Sequence, residues 1–149
     1  MTFEYETKLH HWVNRVAFQI RAEMQKRIKE SGLDISVEEW AMLMILWEDG
    51  ATPMNNLAEK TLRDRTTVTR LIDRLVTKGL VERVAAPEDR RLVVVETTDR
   101  SNDIRGALIS SALSLIDETT ESVSSEDLAT TLQTLRQISN RISAIQSNK

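Results

Sequence analysis

Apolar residues at both ends of the chain are spaced as they are in long amphipathic helices. From Leu9 to Ile28 they recur every three or four positions, which places them on one helical face and predicts a helix over residues 5–29. The same spacing predicts one helix after Thr98 and a last helix after Ser125. A single chain would leave the apolar faces of these long terminal helices poorly covered.

Three shorter helices are predicted between the terminal ones, over residues 36–49, 54–61 and 65–78. Ser36 and Glu39 have the spacing of a capping box, in which both side chains accept hydrogen bonds from free backbone N–H groups at the helix start. Thr52 and Asp64 are the expected N-caps of the second and third of these helices.

After these helices the pattern changes to that of short strands. Residues 80–84 and 92–96 are rich in β-branched side chains, and the segment between them contains the turn-forming Pro87. A small extra strand is also expected near residues 51–52. A short helix, a tight turn, a second helix and a β-hairpin together make a winged helix-turn-helix. The expected fold class is therefore mainly α with a small β-hairpin wing (α+β).

The charge of the whole chain hides an uneven distribution. Twenty basic and 23 acidic residues give a net charge of −3, which taken alone argues against a nucleic-acid-binding protein. Residues 50–91, however, carry nine basic and six acidic side chains, whereas the segments on either side are each acidic by three. This basic surplus is the pattern expected of a phosphate-binding face. Because the surplus is small, an ordinary solvated surface explains it equally well.

The predicted helix over residues 65–78 has an outer face suited to the major groove of DNA. At 100° per residue, Thr66 and Arg70 lie opposite its apolar stripe, and Thr67, Thr69 and Arg74 lie on the flanks. Arginine contacts guanine with two hydrogen bonds, and threonine uses its hydroxyl or its methyl group. The alternative is that these threonines are simply tolerated at a helix start. Arg74 either pairs with an acidic neighbour or contacts a phosphate.

The predicted hairpin ends in the sequence Glu88-Asp89-Arg90-Arg91. Arginines at the tip of a wing enter the minor groove, where the potential is most negative over narrow A·T-rich stretches. We expect Asp89, two positions before Arg91, to hold that guanidinium in a fixed pose. The alternative is a solvated hairpin whose charges have no partner.

Several other functions are disfavoured by what the chain lacks. It has no cysteine, no glycine-rich phosphate loop and no nucleophile–base set, so we expect no enzyme, no catalytic residue and no cofactor. His10 and His11 are adjacent and point about 100° apart on a helix, so we expect no metal site. The longest apolar run, residues 40–47, is far shorter than the ~20 residues that cross a bilayer. We therefore expect a soluble, cytoplasmic protein without a membrane partner.

From Leu57 to Arg91 the chain resembles the MarR family of bacterial and archaeal transcription regulators. The most specific features are the helix stop Lys78-Gly79-Leu80-Val81 and the wing sequence Asp89-Arg90-Arg91 that follows it. The resemblance implies that the recognition helix and the wing both contact DNA. The recognition-helix positions carried over are Arg65, Thr66, Thr67, Thr69 and Arg70. The wing positions are Asp89, Arg90 and Arg91. The chain departs from the family pattern after the wing, where Thr97, Thr98 and Ser101 replace a leucine, a threonine and a glycine; Thr98 can still cap the following helix.

The resemblance also implies a homodimer that binds a pseudo-palindromic operator in double-stranded DNA, usually as a repressor released by a small phenolic or aromatic anion. Residues 1–34 and 98–149 are then the helical dimerisation region, and residues 35–97 are the winged helix-turn-helix domain. A two-fold dimer buries the terminal apolar faces and sets two recognition helices about 34 Å apart. The lack of cysteine excludes the branch of the family that senses peroxide through a thiol.

The expected effector-binding residues are His11, Trp12, Arg15, Met44 and Trp47, because aromatic walls with one cation suit an aromatic carboxylate. The alternative is that the two tryptophans and Met44 are ordinary core residues at helical spacing. An alternative for the whole protein is a winged-helix protein-interaction module, or a regulator that acts without binding an operator directly. A face that binds proteins would be more apolar than the predicted recognition helix.

Overall fold

Six α-helices and three short strands make up the protein, whose computed structural model describes residues 1–149. The helices are α1 (Leu9–Glu30), α2 (Val37–Asp49), α3 (Met54–Thr61), α4 (Arg65–Thr77), α5 (Asp99–Thr120) and α6 (Ser125–Ser147). The strands are β1 (Thr52–Pro53), β2 (Val81–Ala85) and β3 (Val93–Thr97). The predicted order of elements and fold class are confirmed, including the small extra strand. The first helix begins later than predicted, because Tyr5–Thr7 form a separate 3₁₀ turn and Lys8 is extended.

The three strands form one antiparallel sheet in the order β1-β3-β2. β3 lies in the middle, so Val95 pairs with Thr52 on one side and with Arg83 on the other. Val94 and Val95 are buried, which gives the hairpin an apolar anchor in the helical core. The connection between β2 and β3 projects from this anchored sheet as the wing.

The chain divides into two compact units, residues 1–112 and 113–149, and the first contains the winged helix-turn-helix. The core of the first unit is formed by apolar side chains from all three short helices and from the sheet. Its fully buried members include Met42, Leu43, Leu46, Leu57, Val68, Ile72, Leu75 and Val95. The predicted apolar stripe of α4 is confirmed, because Val68, Leu71, Ile72 and Leu75 are all buried.

The buried face of α2 does not include Met44. The alternative prediction for Met44 was an ordinary core residue, but its side chain is 41% exposed, whereas Met42 and Leu46 are fully buried. Residues 40–47 are apolar without interruption, so spacing alone does not select a face in this helix. Packing against α3, α4 and β3 makes the selection instead.

Two of the predicted caps are corrected by the structure. The Ser36 hydroxyl accepts a hydrogen bond from the Glu39 N–H at 3.1 Å, but the Glu39 carboxylate is paired with Lys78 instead of completing a capping box. Thr52 does not cap α3, because it lies in β1 and its hydroxyl donates to the Gly50 carbonyl. The N-cap of α3 is Pro53, which has no side chain that can accept.

The terminal helices expose most of their apolar side chains in the single chain. Of the predicted stripe of α1, Met24 and Ile28 are buried, and the residues before them are exposed. No residue of α6 is buried, although its start is capped by the Ser124 hydroxyl, which accepts from the Asp127 N–H. The exposed apolar residues of α6 are Leu128, Leu132, Leu135, Ile142 and Ile145. None of the helices combines the length and apolar character needed to cross a membrane.

Candidate nucleic-acid interface

The start of α4 is fixed by a tight cap. One carboxylate oxygen of Asp64 accepts from the Thr67 N–H at 2.8 Å, and the other accepts from the Thr67 hydroxyl at 2.7 Å. These bonds, with the positive charge of Arg70 as a smaller contribution, hold the pKa of the Asp64 carboxyl below its ordinary value. The predicted cap at Asp64 is confirmed. Thr67 therefore stabilises the helix start in addition to any contact that it makes with DNA.

The three threonines of α4 have different hydrogen-bonding states. The hydroxyl protons of Thr67 and Thr69 are used within the helix, the second in a 2.9 Å bond to the Arg65 carbonyl. Thr66 makes no side-chain hydrogen bond to the protein, so its hydroxyl is available as donor and acceptor. Of the three, Thr66 has the side chain best prepared for a base edge.

The DNA-facing surface predicted for α4 is exposed to solvent in the structure. Arg65, Thr66, Thr69, Arg70 and Arg74 are exposed, whereas Thr67 is partly covered. None of the three arginines forms an ion pair within the protein. Their side chains are free to reach an external anion, and their contact with DNA stays a prediction.

The wing tip is a closed turn held by backbone bonds. The Ala86 N–H donates to the Leu92 carbonyl at 2.8 Å, and the Leu92 N–H donates to the Asp89 carbonyl at 3.0 Å. The Asp89 carboxylate accepts from the backbone N–H of Arg91 at 3.0 Å. The expectation that Asp89 holds the Arg91 guanidinium is thus corrected for this structure, because the carboxylate fixes the turn itself. Arg90 and Arg91 are exposed.

Recognition helix and wing meet at one cleft. This cleft, of about 240 Å³, is lined by Arg65 at the start of α4 and by Arg91 in the wing, together with Pro53 and Asn55 from the region where β1 passes into α3. The pairing of β1 with β3 brings these segments together. The structure thus places two of the predicted DNA-binding residues, from separate elements, on one surface.

A second contact ties α4 to the sheet on the wing side. Asp73 of α4 pairs with Arg83 of β2, with 2.6 Å between Oδ1 and Nη2. An acidic neighbour was one of the two predicted partners of Arg74, but Asp73 is paired with Arg83 instead. Arg74 is left without an ion pair, which favours the other possibility, a contact with phosphate.

Sequence reasoning missed one basic residue at this surface. Arg63 lies in the turn between α3 and α4, and it lines a cleft with Arg70 and Arg74. The sequence could have indicated Arg63, because it directly precedes Asp64, the predicted N-cap of the recognition helix.

The predicted effector residues fall into two groups with different neighbours. In the first, the His11 ring packs edge-on between Tyr5 and Trp12, with ring centres 4.8 and 5.4 Å apart, and the Trp12 indole N–H donates to the Glu6 carbonyl. Trp12 is 49% exposed, so it is not a core residue of the single chain. Arg15, one turn further along α1, is also exposed.

The second group lies between α2 and α5. The Trp47 indole N–H donates to the Ser101 hydroxyl at 3.2 Å, and the Arg105 guanidinium lies 5.7 Å from the centre of the Trp47 ring. Arg105 was not among the expected residues. Met44 lies on the exposed side of α2, as described above. No three His, Asp or Glu side chains are grouped so that they could hold a metal ion.

A three-helix core, an exposed helix of arginine and threonine, and an arginine-tipped wing define the class of the protein as a winged helix-turn-helix DNA-binding protein. Residues 35–93 match the model of the MarR family. The chain is 27% identical to the transcriptional regulator MhqR of Bacillus subtilis, over 91% of this chain and 92% of that protein. It is 28% identical to the transcriptional repressor IacR of Pseudomonas putida, over 65% of this chain and 57% of that protein.

Among solved structures, the chain shares its fold with BpsR of Bordetella bronchiseptica, described for the regulation of its DNA binding by 6-hydroxynicotinic acid. The TM-score is 0.81 at 22% identity, over 93% of this chain and 98% of that one. Residues 35–93 thus form a MarR-family domain, and the protein is a DNA-binding transcriptional regulator.

Proposed function

We propose that the protein is a homodimer that binds a pseudo-palindromic operator in double-stranded DNA and represses transcription until a small aromatic anion releases it. The observation that carries this proposal is the start of α4, where the side chains of Arg65, Thr66 and Arg70 have no hydrogen-bond or ion-pair partner within the chain. Arg65 also shares a cleft with Arg91 of the wing. Unpaired guanidinium and hydroxyl groups on a rigid helix are the chemistry that reads base edges.

The contacts divide into two kinds. Arg65, Thr66, Thr67, Thr69 and Arg70 read the major groove from α4. Arg90 and Arg91 reach the minor groove from the wing, Asp89 shapes the turn that presents them, and Arg74 contacts the backbone. Base contacts supply sequence preference, and phosphate contacts fix orientation.

The exposed apolar residues of α1 and α6 support the homodimer. Leu9, Val13, Val16 and Ile20 continue the stripe of α1 beyond its buried end, and each is more than 40% exposed in the single chain. In the second unit, α6 also leaves large apolar side chains exposed, which are Leu128, Leu132, Leu135, Ile142 and Ile145. A monomer usually leaves fewer apolar side chains in water. A second copy covers these side chains, with residues 1–34 and 98–149 as the dimerisation region and residues 35–97 as the DNA-binding domain.

Repression and release by an aromatic acid are supported by the relatives. IacR is named a repressor, and the DNA binding of BpsR is regulated by 6-hydroxynicotinic acid, an aromatic carboxylic acid. In this chain the candidate contacts are His11, Trp12 and Arg15 on α1 and Met44 and Trp47 on α2. A bound anion releases DNA by favouring a spacing of the two recognition helices that does not fit the operator.

The test is a salt-titrated binding assay of the full-length chain on DNA from upstream of its own gene, with a scrambled duplex as control. The expected result is tighter binding to an inverted repeat than to the scrambled duplex, and weaker binding when 6-hydroxynicotinic acid is added. Equal affinity for both duplexes at every salt concentration would contradict sequence-specific recognition. That result would favour a protein-interaction module or a regulator that acts without an operator.

A further inference from the structure

One flank of α4 forms a basic cleft with the start of α2. The cleft, of about 280 Å³, is lined by Arg63, Arg70 and Arg74, with Ser36 and Glu38 on the α2 side. None of the three arginines has a hydrogen-bond or ion-pair partner within the protein. Three guanidinium groups therefore line one cleft, and Glu38 is the one acidic residue in its lining. Arg70 also lies close enough to the Asp64 carboxylate to lower the pKa of that group.

The acidic neighbour is already occupied. Glu38 pairs with Arg21 of α1, and its side chain is mostly covered. Because Arg21 offsets the charge of Glu38, the three arginines keep their net attraction for an anion. Without that pair, the charge of Glu38 would weaken the attraction of the cleft for an external anion.

The position of Arg63 is set by the turn between α3 and α4. Leu62 adopts a left-handed conformation with φ of 55°, and the Arg63 N–H donates to the Ala58 carbonyl at 3.2 Å. The Asp64 cap begins α4 directly after it. Arg63 is thus fixed at both sides by backbone and cap bonds, and its place beside α4 depends on the turn.

We propose that Arg63 and Arg74 hold a backbone phosphate of the DNA in this cleft, with Glu38 and its partner Arg21 setting the charge of the site. The inference rests on the proposed function, because it requires DNA beside α4. Both arginines line the cleft between α4 and α2, which Arg70 borders from the outward face of the helix. A guanidinium on a flank meets the sugar–phosphate edge of the groove, where its planar fork matches two phosphate oxygens.

The experiment compares Arg63→Gln with the full-length wild-type protein on the operator duplex and on a scrambled duplex, between 50 and 200 mM salt. Arg100→Gln is the matched control, because Arg100 is also without an ion-pair partner but lies beside Gly79, after the other end of α4. A phosphate contact carries no sequence information, so Arg63→Gln weakens binding to both duplexes by the same factor. The slope of log Kd against log salt falls by about 0.9 per subunit. Arg100→Gln leaves the slope unchanged.

Two further variants test the charge of the site. Arg63→Lys keeps a positive charge and retains most of the salt slope, which separates a phosphate contact from a structural role. Glu38→Gln removes the single acid of the cleft and tightens binding to both duplexes by the same factor. Unchanged or weaker binding of Glu38→Gln would show that Glu38 does not set the charge of the site.

The failures of the two proposals are distinguishable. If the wild-type protein binds neither duplex, the proposed function fails and the phosphate site fails with it. If the wild-type protein prefers the operator but Arg63→Gln has the same affinities and salt slope, only the phosphate site is wrong. A loss on the operator duplex alone would assign Arg63 to base recognition and would also overturn the proposal.

Discussion

Glu39, which is 2% exposed at the start of α2, forms an ion pair with Lys78 at the end of α4, with 2.7 Å between Oε2 and Nζ. The two residues lie 39 positions apart in the chain, and their contact joins two of the three helices of the DNA-binding core. The Ser36 hydroxyl also bonds the Glu39 backbone N–H, so Glu39 participates in both the start of α2 and its attachment to α4.

Replacing Lys78 with methionine is expected to destabilise the protein, because it leaves the Glu39 carboxylate buried without its partner. Removal of one partner of a buried pair costs about 3 kcal/mol, and the partial exposure of Lys78 reduces this figure. Urea unfolding at pH 7 measures the loss. The double variant Glu39→Leu with Lys78→Met is expected to recover most of it, and additive losses in the two single variants and the double variant would contradict a direct pair.

The Asp64 cap is expected to give a pH-dependent contribution to stability. Since the folded-state pKa of Asp64 lies below its ordinary value, its contribution is complete above the unfolded pKa and is lost as the pH falls through the folded pKa. Asp64→Ala should therefore lower the midpoint of thermal unfolding at pH 7, and the difference from wild type should shrink below about pH 4.

Asp64→Asn is the matched control for the cap, because asparagine keeps an oxygen that accepts from the Thr67 N–H. Its loss at pH 7 should be smaller than that of Asp64→Ala. Equal losses in the two variants would show that the hydrogen bond to the Thr67 N–H does not contribute, and losses that do not change with pH would show the same for the charge.

Glu82 of β2 and Glu96 of β3 are direct cross-strand partners. Their proximity raises the pKa of Glu96, whereas the helix cap lowers the pKa of Asp64. The hydrogen bond with Glu82 is the main cause that raises the pKa of Glu96, with burial as a smaller one. A raised pKa means that the folded state is favoured below the unfolded pKa and loses that advantage as the pH rises through the folded pKa.

Glu96→Gln is therefore expected to stabilise the protein at pH 7, by about 0.5 kcal/mol, the usual size of a cross-strand pair. The gain should vanish near pH 3, where the Glu96 carboxyl is protonated. Chemical unfolding at the two pH values measures it, and Glu88→Gln in the exposed wing tip is a control with the same change of charge. A gain of equal size in the control would assign the effect to net charge.

Leu62 combines a positive φ with a side chain that is 90% exposed, in the turn of the helix-turn-helix. A left-handed conformation costs a leucine about 1 kcal/mol, and asparagine adopts it more readily. Leu62→Asn should therefore raise stability by several tenths of a kcal/mol in urea unfolding. Leu62→Ala keeps the strained backbone and should give no gain; a gain equal to that of asparagine would assign the effect to the exposed leucine side chain.

The helices and the wing were predictable where one face of an element is buried and the other is not. The buried apolar stripe of α4 follows from residue spacing, because the polar Thr66 and Arg70 mark the side of the helix that faces water. In α2 the apolar run around Met44 is continuous, so only tertiary packing decides which residues are buried.

The contacts of the candidate site were less accessible to sequence reasoning. The cleft shared by Arg65 and Arg91 depends on the pairing of β1 with β3, which joins segments about 40 positions apart. The Asp89 carboxylate bonds the backbone of Arg91 because the wing turn places that N–H nearer than the guanidinium. Long-range strand pairing and turn geometry are properties that residue spacing does not contain.

Arg70 is the residue expected to show whether α4 reads sequence. It is exposed, lacks an ion-pair partner and follows Thr66 by one turn on the outward face. Arg70→Ala should weaken operator binding by about 1–3 kcal/mol and relax the preference at one or two base pairs, because a two-bond contact with guanine is lost. Competition binding against a set of single-base operator variants measures both effects.

Arg74→Ala is the matched variant on the same helix. As a backbone contact it should weaken every operator variant by the same factor and leave the preferences intact. If Arg70→Ala gives that uniform pattern too, Arg70 contacts phosphate, and the sequence preference must come from Thr66, Arg65 or the wing.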